Sequence, residues 1–447
     1  MRGVAVVMPL AVVALVGCAA QDDQSDVRVA VQERLAATAG AATGDIAGPV
    51  NVQAGLAQAL REAVGTNAGY LAALANEREA LGQVGVAQSA LGLQLGGSAN
   101  VGGIRETGAT ATTTTGVAGG VNLSQLVYDG GATTAAINRA TALALSAQAA
   151  RLARGDEIAL GAARAWIDLW QYAERLRLLR ARTTEMDTLL EQLDRMASNG
   201  MTDRASLDSA RRQVVDIKLE ESRLSAGQAE AKVQFERYFR SQPSAPKAPA
   251  ELVSAAQARS IAGDWRNAPA LQRQAADLIA AAAALREAEA AFQPRARVQA
   301  GARSPLEQGE STDITVGLMM EYSFSDGGRR LKQREAAEAR LQAAEAQLAD
   351  AERLLEADLQ TALARLEAIE RAMPLLADKL RLSRSAAQTA RSQLQTGQSG
   401  LRQLVEAEID IYRAQDQQAS MQAERQALLL TIAARTGALG RLVGLPD

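Results

Sequence analysis

One motif occurs twice in this chain at a fixed spacing, and that repetition limits what the chain can fold into. Tyr128-Asp129-Gly130-Gly131 closes a run in which Val117, Gly119, Val121 and Leu123 alternate with mostly polar or small residues. Ser325-Asp326-Gly327-Gly328 closes a similar run through Ile314, Val316, Leu318 and Met320. Alternation that ends in Asp-Gly is the pattern of a strand running into a turn. The two Asp-Gly-Gly triplets lie 197 residues apart, and so do Gly200 and Gly397, which each end a long break-free segment. A shared offset at two unrelated landmarks identifies a tandem duplication of strand pair, long helix, tight turn and return helix.

The break-free segments set the scale. From Ala132 to about Ser198 there is no proline, and Leu, Ala, Ile and Met recur every three to four residues. A helix of roughly 66 residues is about 100 Å long, more than any compact domain needs. Asn199-Gly200 supplies a turn, after which Thr202 or Asp203 can cap a return helix. In the second copy Leu341, Leu348, Leu355, Leu359, Leu366, Met373 and Leu380 keep a heptad spacing with one step of four. Pro374 removes a helical hydrogen bond and predicts a bend there. The last helix is expected from about Leu401 to Thr436, ended by Gly437. Leu91, Leu93 and Leu95 predict the first strand, and Asn267-Ala268-Pro269 is read as the counterpart of Asn67-Ala68-Gly69 at an offset of 200.

The leader carries a separate signal. Arg2 precedes an apolar run from Val4 to Val16, too short to span a bilayer but suited to secretion. It ends in Leu15-Val16-Gly17-Cys18, which resembles the lipobox of bacterial lipoproteins, where the cysteine is lipidated and becomes the mature N-terminus. Cys18 is the only cysteine, and Ala19 after it is compatible with delivery to the outer membrane. No later segment reads as a transmembrane helix, so any spanning element must be β.

The resulting division is a signal peptide over 1–17, a lipidated tether over 18–50, a first repeat over 51–240, a Pro-rich linker over 241–250, a second repeat over 251–438 and a tail over 439–447. Four strands cannot close a barrel, and lipid does not tolerate an open sheet edge. Strands that span a membrane therefore require oligomerisation, and three copies would supply about twelve strands. The fold expected is an α+β membrane protein, a trimeric 12-stranded β-barrel with four strands per chain, continued by a long α-helical coiled-coil barrel. A lipid-anchored periplasmic coiled-coil scaffold without a pore is the alternative from another class.

Chemistry is conspicuous by what the composition lacks. With no His, and its one Cys at the lipobox, the chain has no Ser-His or Cys-His arrangement and no usual zinc site. No Walker-type loop or dinucleotide fingerprint appears, and the carboxylates alternate with Arg as on solvated helix faces. A formal charge of −3 with no basic cluster argues against nucleic acid. No cofactor is expected beyond the lipid on Cys18.

The duplicated plan, Gln125-Leu126-Val127-Tyr128-Asp129-Gly130-Gly131, Asn267-Ala268-Pro269-Ala270-Leu271 and the turns at Gly200 and Gly397 resemble the TolC outer-membrane efflux family over roughly residues 50 to 438, and the lipobox is similar to its lipoprotein branch. The resemblance implies a homotrimeric exit duct, not an enzyme, which docks to a periplasmic adaptor and an inner-membrane transporter. Small-molecule efflux and type I protein secretion share this plan, and cargo is left open. It also implies an adaptor-binding tip at Gly200, Met201, Thr202 and Leu207 with Gly397, Gln398, Ser399 and Leu404. Gln403 and Glu406 occupy the positions of the family's acidic constriction rings, with Glu408 the nearest further carboxylate. Leu394 and Ser399 replace the family's tip-closing tyrosine and arginine.

Overall fold

The computed structural model of the chain describes residues 29–34, 49–106, 112–198, 204–241, 247–304, 312–395 and 401–446. Residues 29–34 are helical and exposed, and belong to a separate unit; everything below concerns the unit that begins at Val50. Its elements are α1 (Leu56–Gly65), α2 (Ala68–Ser89), β1 (Gln94–Glu106), β2 (Thr112–Tyr128), α3 (Ala132–Ser198) and α4 (Arg204–Phe239), followed by α5 (Ala255–Gly263), α6 (Pro269–Ala290), β3 (Arg295–Arg303), β4 (Asp313–Glu321), α7 (Arg329–Gln395), α8 (Leu401–Arg435) and α9 (Ala438–Val443).

The duplication is visible element by element. The long helices α3 and α7 each contain 67 residues, and the return helices α4 and α8 contain 36 and 35. Helix α7 continues through Pro374, whose missing donor is tolerated within a long packed helix. One expected offset is corrected. α2 and α6 both have 22 residues and start at Ala68 and Pro269, so the equivalent residues are 201 apart, not 200. Asn67 is the N-cap of α2 and Ala268 that of α6; the Asn-Ala-Pro tripeptide slides by one because Pro269 takes the first helical position, where its fixed φ fits. β1 is corrected as well: Leu91 and Leu93 precede the strand. The amides of Leu91 and Gly92 donate to Gln88 and Ser89, which prolongs the end of α2 into a turn.

The sheet is antiparallel in the order β1-β2-β3-β4, leaving β1 and β4 as open edges. The long helices form a layer. Towards the helix tips, α3 packs between α4 and α8, and α8 between α3 and α7; nearer the sheet, α3 packs between α2 and α6, and α6 between α3 and α7. The heptad leucines of α7 serve this layer, with Leu355, Leu359, Leu366 and Leu380 buried.

The main core lies where the two copies meet. Trp166 of α3 makes edge contacts of 5.6 Å with Phe235 and with Phe239 of α4, and Leu366, Leu429 and Ile432 close around the same cluster. Helix α9 completes it: Gly437 ends α8 in a left-handed conformation at φ 77°, and Leu439 and Val443 then turn inward with no exposure. A second apolar cluster towards the tips gathers Leu176, Leu179, Met186, Val214, Ile217, Leu404 and Val405.

Candidate channel surfaces

The strand register separates two chemistries. Residues paired across antiparallel strands share a face, and successive residues alternate. One face carries the rows Gly97–Val121–Ala302–Ile314 and Leu95–Leu123–Ala300–Val316, with Gln125–Val298–Leu318 beyond, Gln125 being the one polar side chain in these three rows. The other carries Ser98–Gly120–Arg303–Asp313, Gly96–Asn122–Gly301–Thr315 and Gln94–Ser124–Gln299–Gly317. The first face is apolar and open to the surroundings: Ile314 is 77% exposed, Val316 76% and Leu95 72%. An apolar patch of that continuity is unusual on a soluble monomer. The polar face holds a hollow of about 360 Å³ lined by Ser98, Asn122, Gln299, Arg303, Asp313 and Thr315 among others. Among the described residues no helix is long and apolar enough to cross a membrane.

Each hairpin enters its long helix through the same corner. The Asp129 carboxylate accepts the amides of Gly131 at 3.0 Å and Thr133 at 2.6 Å, and the Asp326 carboxylate accepts those of Gly328 at 3.1 Å and Arg330 at 3.0 Å. These bonds satisfy helix N-terminal donors that have no partner within the helix. Burial would raise the Asp129 carboxyl, but hydrogen bonds from Thr133 and Gly131 and the charge of Arg295 outweigh it and hold it below the usual carboxylate range. Both glycines of each corner have positive φ, 67° and 89° in the first copy, 68° and 85° in the second, which explains the doublet.

The positions expected at the helix tips divide three ways. Cys18, Gly200, Met201, Thr202, Gly397, Gln398 and Ser399 lie outside the described residues, as does the side chain of Leu207, whose backbone is in the first turn of α4. Leu404 is 3% exposed and belongs to the apolar cluster between the helices, so its contact is with its own chain. Gln403 and Glu406 are on the exposed side of α8.

Glu408, two residues beyond Glu406, points the other way. It is 2% exposed, and its carboxylate accepts from Arg182 of α3 and, at 2.5 Å, from Arg391 of α7. Arg182 also donates to Glu185 at 2.5 Å. Arg175 of α3 repeats the theme nearer the core, gripping Asp416 of α8 in a bidentate pair of 2.6 and 3.0 Å. Burial works to lower the Arg175 guanidinium, but Asp416, Tyr412 and Glu220 outweigh it and raise it. Sequence reasoning missed Arg182 and Arg391 as partners because they lie 226 and 17 residues from Glu408. The helical phase of Glu408 against Glu406 was the available signal, since two positions apart on a helix point to different sides.

The family described as outer membrane efflux protein matches residues 59–238 and 265–438, one segment per copy. No curated protein sequence matches. Several solved structures share the fold at low identity. CusC, whose crystal structures concern folding and transmembrane channel formation, has a TM-score of 0.75 at 17% identity, covering 90% of this chain and 96% of its own. The Vibrio cholerae outer membrane protein VceC has 0.74 at 18%, covering 85% and 96%. The open-state Neisseria gonorrhoeae outer membrane channel MtrE has 0.71 at 18%, covering 86% and 89%. The chain belongs to the outer membrane efflux protein family, the outer-membrane exit channels of tripartite efflux systems.

Proposed function

We propose that three copies of this chain close a 12-stranded β-barrel in the outer membrane and a helical barrel beneath it, forming a passive duct for small molecules. The observation that carries this reading is the two-faced sheet with unpaired β1 and β4 edges. An open edge in lipid costs several kcal/mol for each unpaired backbone group, and closure with further copies removes it. The apolar face then meets lipid and the polar face meets water in the lumen.

In this reading Cys18 carries lipid as a second membrane attachment. The tip segments at Gly200, Met201, Thr202, Gly397, Gln398 and Ser399 dock a periplasmic adaptor, and the adaptor couples the duct to an inner-membrane transporter that supplies the energy. Gln403 and Glu406 line the constriction, and Glu406 supplies its charge. Conductance across planar bilayers tests the duct: trimeric protein should give stepwise ion currents, and a non-pore scaffold none. Mass spectrometry should find an acylated N-terminal peptide beginning at Cys18; an unmodified thiol or cleavage elsewhere would refute the anchor.

A further inference from the structure

Strand β3 sets three arginines, Arg295, Arg297 and Arg303, on the polar face of the sheet. Two of them have a carboxylate directly across the hairpin: Arg303 pairs with Asp313 and Arg295 with Glu321. Arg297 has none. Its partners are Leu126 on β2 and Met319 on β4, and it is exposed. Glu321 lies diagonal to Arg297 but stands opposite Arg295, so one carboxylate serves two guanidiniums. Apolar neighbours can support the aliphatic stem of an arginine, but they do not neutralise its head.

The repeat does not demand these charges. Gln94 and Arg295, 201 residues apart, pair with Ser124 and Glu321, which are 197 apart, so β1 is the counterpart of β3. At the positions of Arg295, Arg297 and Arg303, β1 carries Gln94, Gly96 and Gly102. Gly96 pairs with Asn122 in an unbroken ladder, so the hairpin forms with no side chain at this position. Arg297 is therefore a charge that only the second copy carries. The ladder beside it is irregular as well: Leu126 pairs with Arg297 and Tyr128 with Ala296, which leaves Val127 as an extra residue. A bulge of this kind bends the strand and re-aims the side chains around it.

We infer that Arg297 is a selectivity residue for anions: three copies set three guanidiniums at one height in the lumen, at the end of the barrel nearest the helices, where they hold cargo bearing an oxyanion such as a carboxylate or phosphate. The planar fork of a guanidinium matches those groups. At about 0.1 M salt the field of an exposed charge reaches about 10 Å, and at about 0.01 M it reaches about 30 Å, so the ring acts across a wide lumen at low ionic strength. It lies in series with the opposite charge of Glu406 on α8, and the two select at different depths of the duct. The inference rests on the trimeric reading above, in which the polar face lines the lumen.

Single trimers in planar bilayers test it in two backgrounds, wild type and Glu406→Gln, by the reversal potential under a dilute potassium chloride gradient. Arg297→Gln should shift the potential towards cation selectivity in both, and further in the Glu406→Gln channel, where no cation-selecting ring masks it. Arg297→Lys should keep the value of its parent, and the shift should vanish near about 1 M salt. Citrate added on the barrel side should reduce the current of each parent several-fold more than that of its Arg297→Gln variant. Sedimentation in mild detergent reports the trimer for every variant before recording. Conducting trimers in which Arg297→Gln leaves either reading unchanged overturn the anion ring and leave the duct standing, and an Arg297→Gln protein that no longer trimerises marks the residue as structural and overturns it too. A wild-type protein that sediments as a folded monomer and passes no current overturns the duct itself.

Discussion

Arg182 of α3 donates to the buried carboxylate of Glu408 on α8, tying the first copy's long helix to the second copy's return helix near the tips. Removing one partner of a buried ion pair strands the other, at a cost of about 3–5 kcal/mol. Glu408→Ala should therefore lower unfolding stability by about that amount, and Arg182→Met combined with Glu408→Leu should recover most of it. Chemical denaturation of the assembled protein measures both. Equal stability in the double and single variants would show that the charges do not act as a pair.

Glu406 and Glu408 are two residues apart and face opposite environments, so a neutral substitution at each should have a different effect. Glu406→Gln should reduce cation selectivity at low salt and leave trimer formation intact, because a ring of like charges in a narrow pore attracts counterions and salt screens it. Glu408→Gln should leave the reversal potential unchanged and lower stability. Reversal potentials under a salt gradient distinguish them; an unchanged value for Glu406→Gln moves the constriction elsewhere.

The two sheet faces make opposite demands. Val316→Arg places a charge on the apolar face and should destabilise assembly by about 2–4 kcal/mol if the site is near the bilayer midplane. Thr315→Arg, the adjacent residue on the polar face, should assemble normally and change conductance instead. Trimer yield on a semi-native gel reads the first effect and single-channel current the second. Similar yields for both variants would mean that neither face meets lipid.

Asp156 accepts the amide of Gly440 at 2.6 Å and so anchors α9 against α3. Burial pushes its carboxyl up to about 7, against the lowering effects of that hydrogen bond and of Arg441. A folded-state value above the unfolded value of 3.8 means the folded protein holds the extra proton between the two. Stability from this group is therefore greatest below about pH 4 and declines as pH rises to about 7. Asp156→Asn keeps an acceptor oxygen and removes the charge, so it should stabilise the protein at pH 8 and change little at pH 4. Melting temperatures at the two values check the sign.

Much of the architecture is local enough to read along the chain. Two Asp-Gly-Gly corners 197 residues apart, long break-free segments and strand alternation identify hairpins feeding long helices, because turn chemistry and periodicity act over a few neighbouring residues. The tripeptide match at Asn67 and Asn267 misled by one residue, since a first helical turn accepts Ala68 or Pro269 equally and only the pairing with Ser124 and Glu321 counts the true offset. Likewise Leu91 and Leu93 alternate as a strand would, but the amides of Leu91 and Gly92 bond back to α2 and the strand begins only at Gln94.

What the chain could not declare by itself depends on partners far apart in sequence. Alternation implies two sheet faces, but which residues share a face across four strands is a matter of register, so Leu95, Val121, Ile314 and Val316 join one apolar surface only in the fold. The spacing of Glu406 and Glu408 marks two sides of one helix; that Glu408 takes the inner side, between Arg182 and Arg391, follows from how α3, α7 and α8 pack. The helix α9 and its bond to Asp156 span 284 residues, a contact that no periodicity encodes. Local sequence selects elements because their hydrogen bonds close within the element or its neighbour, while tertiary packing decides which charged side chains are buried between helices and which face outward.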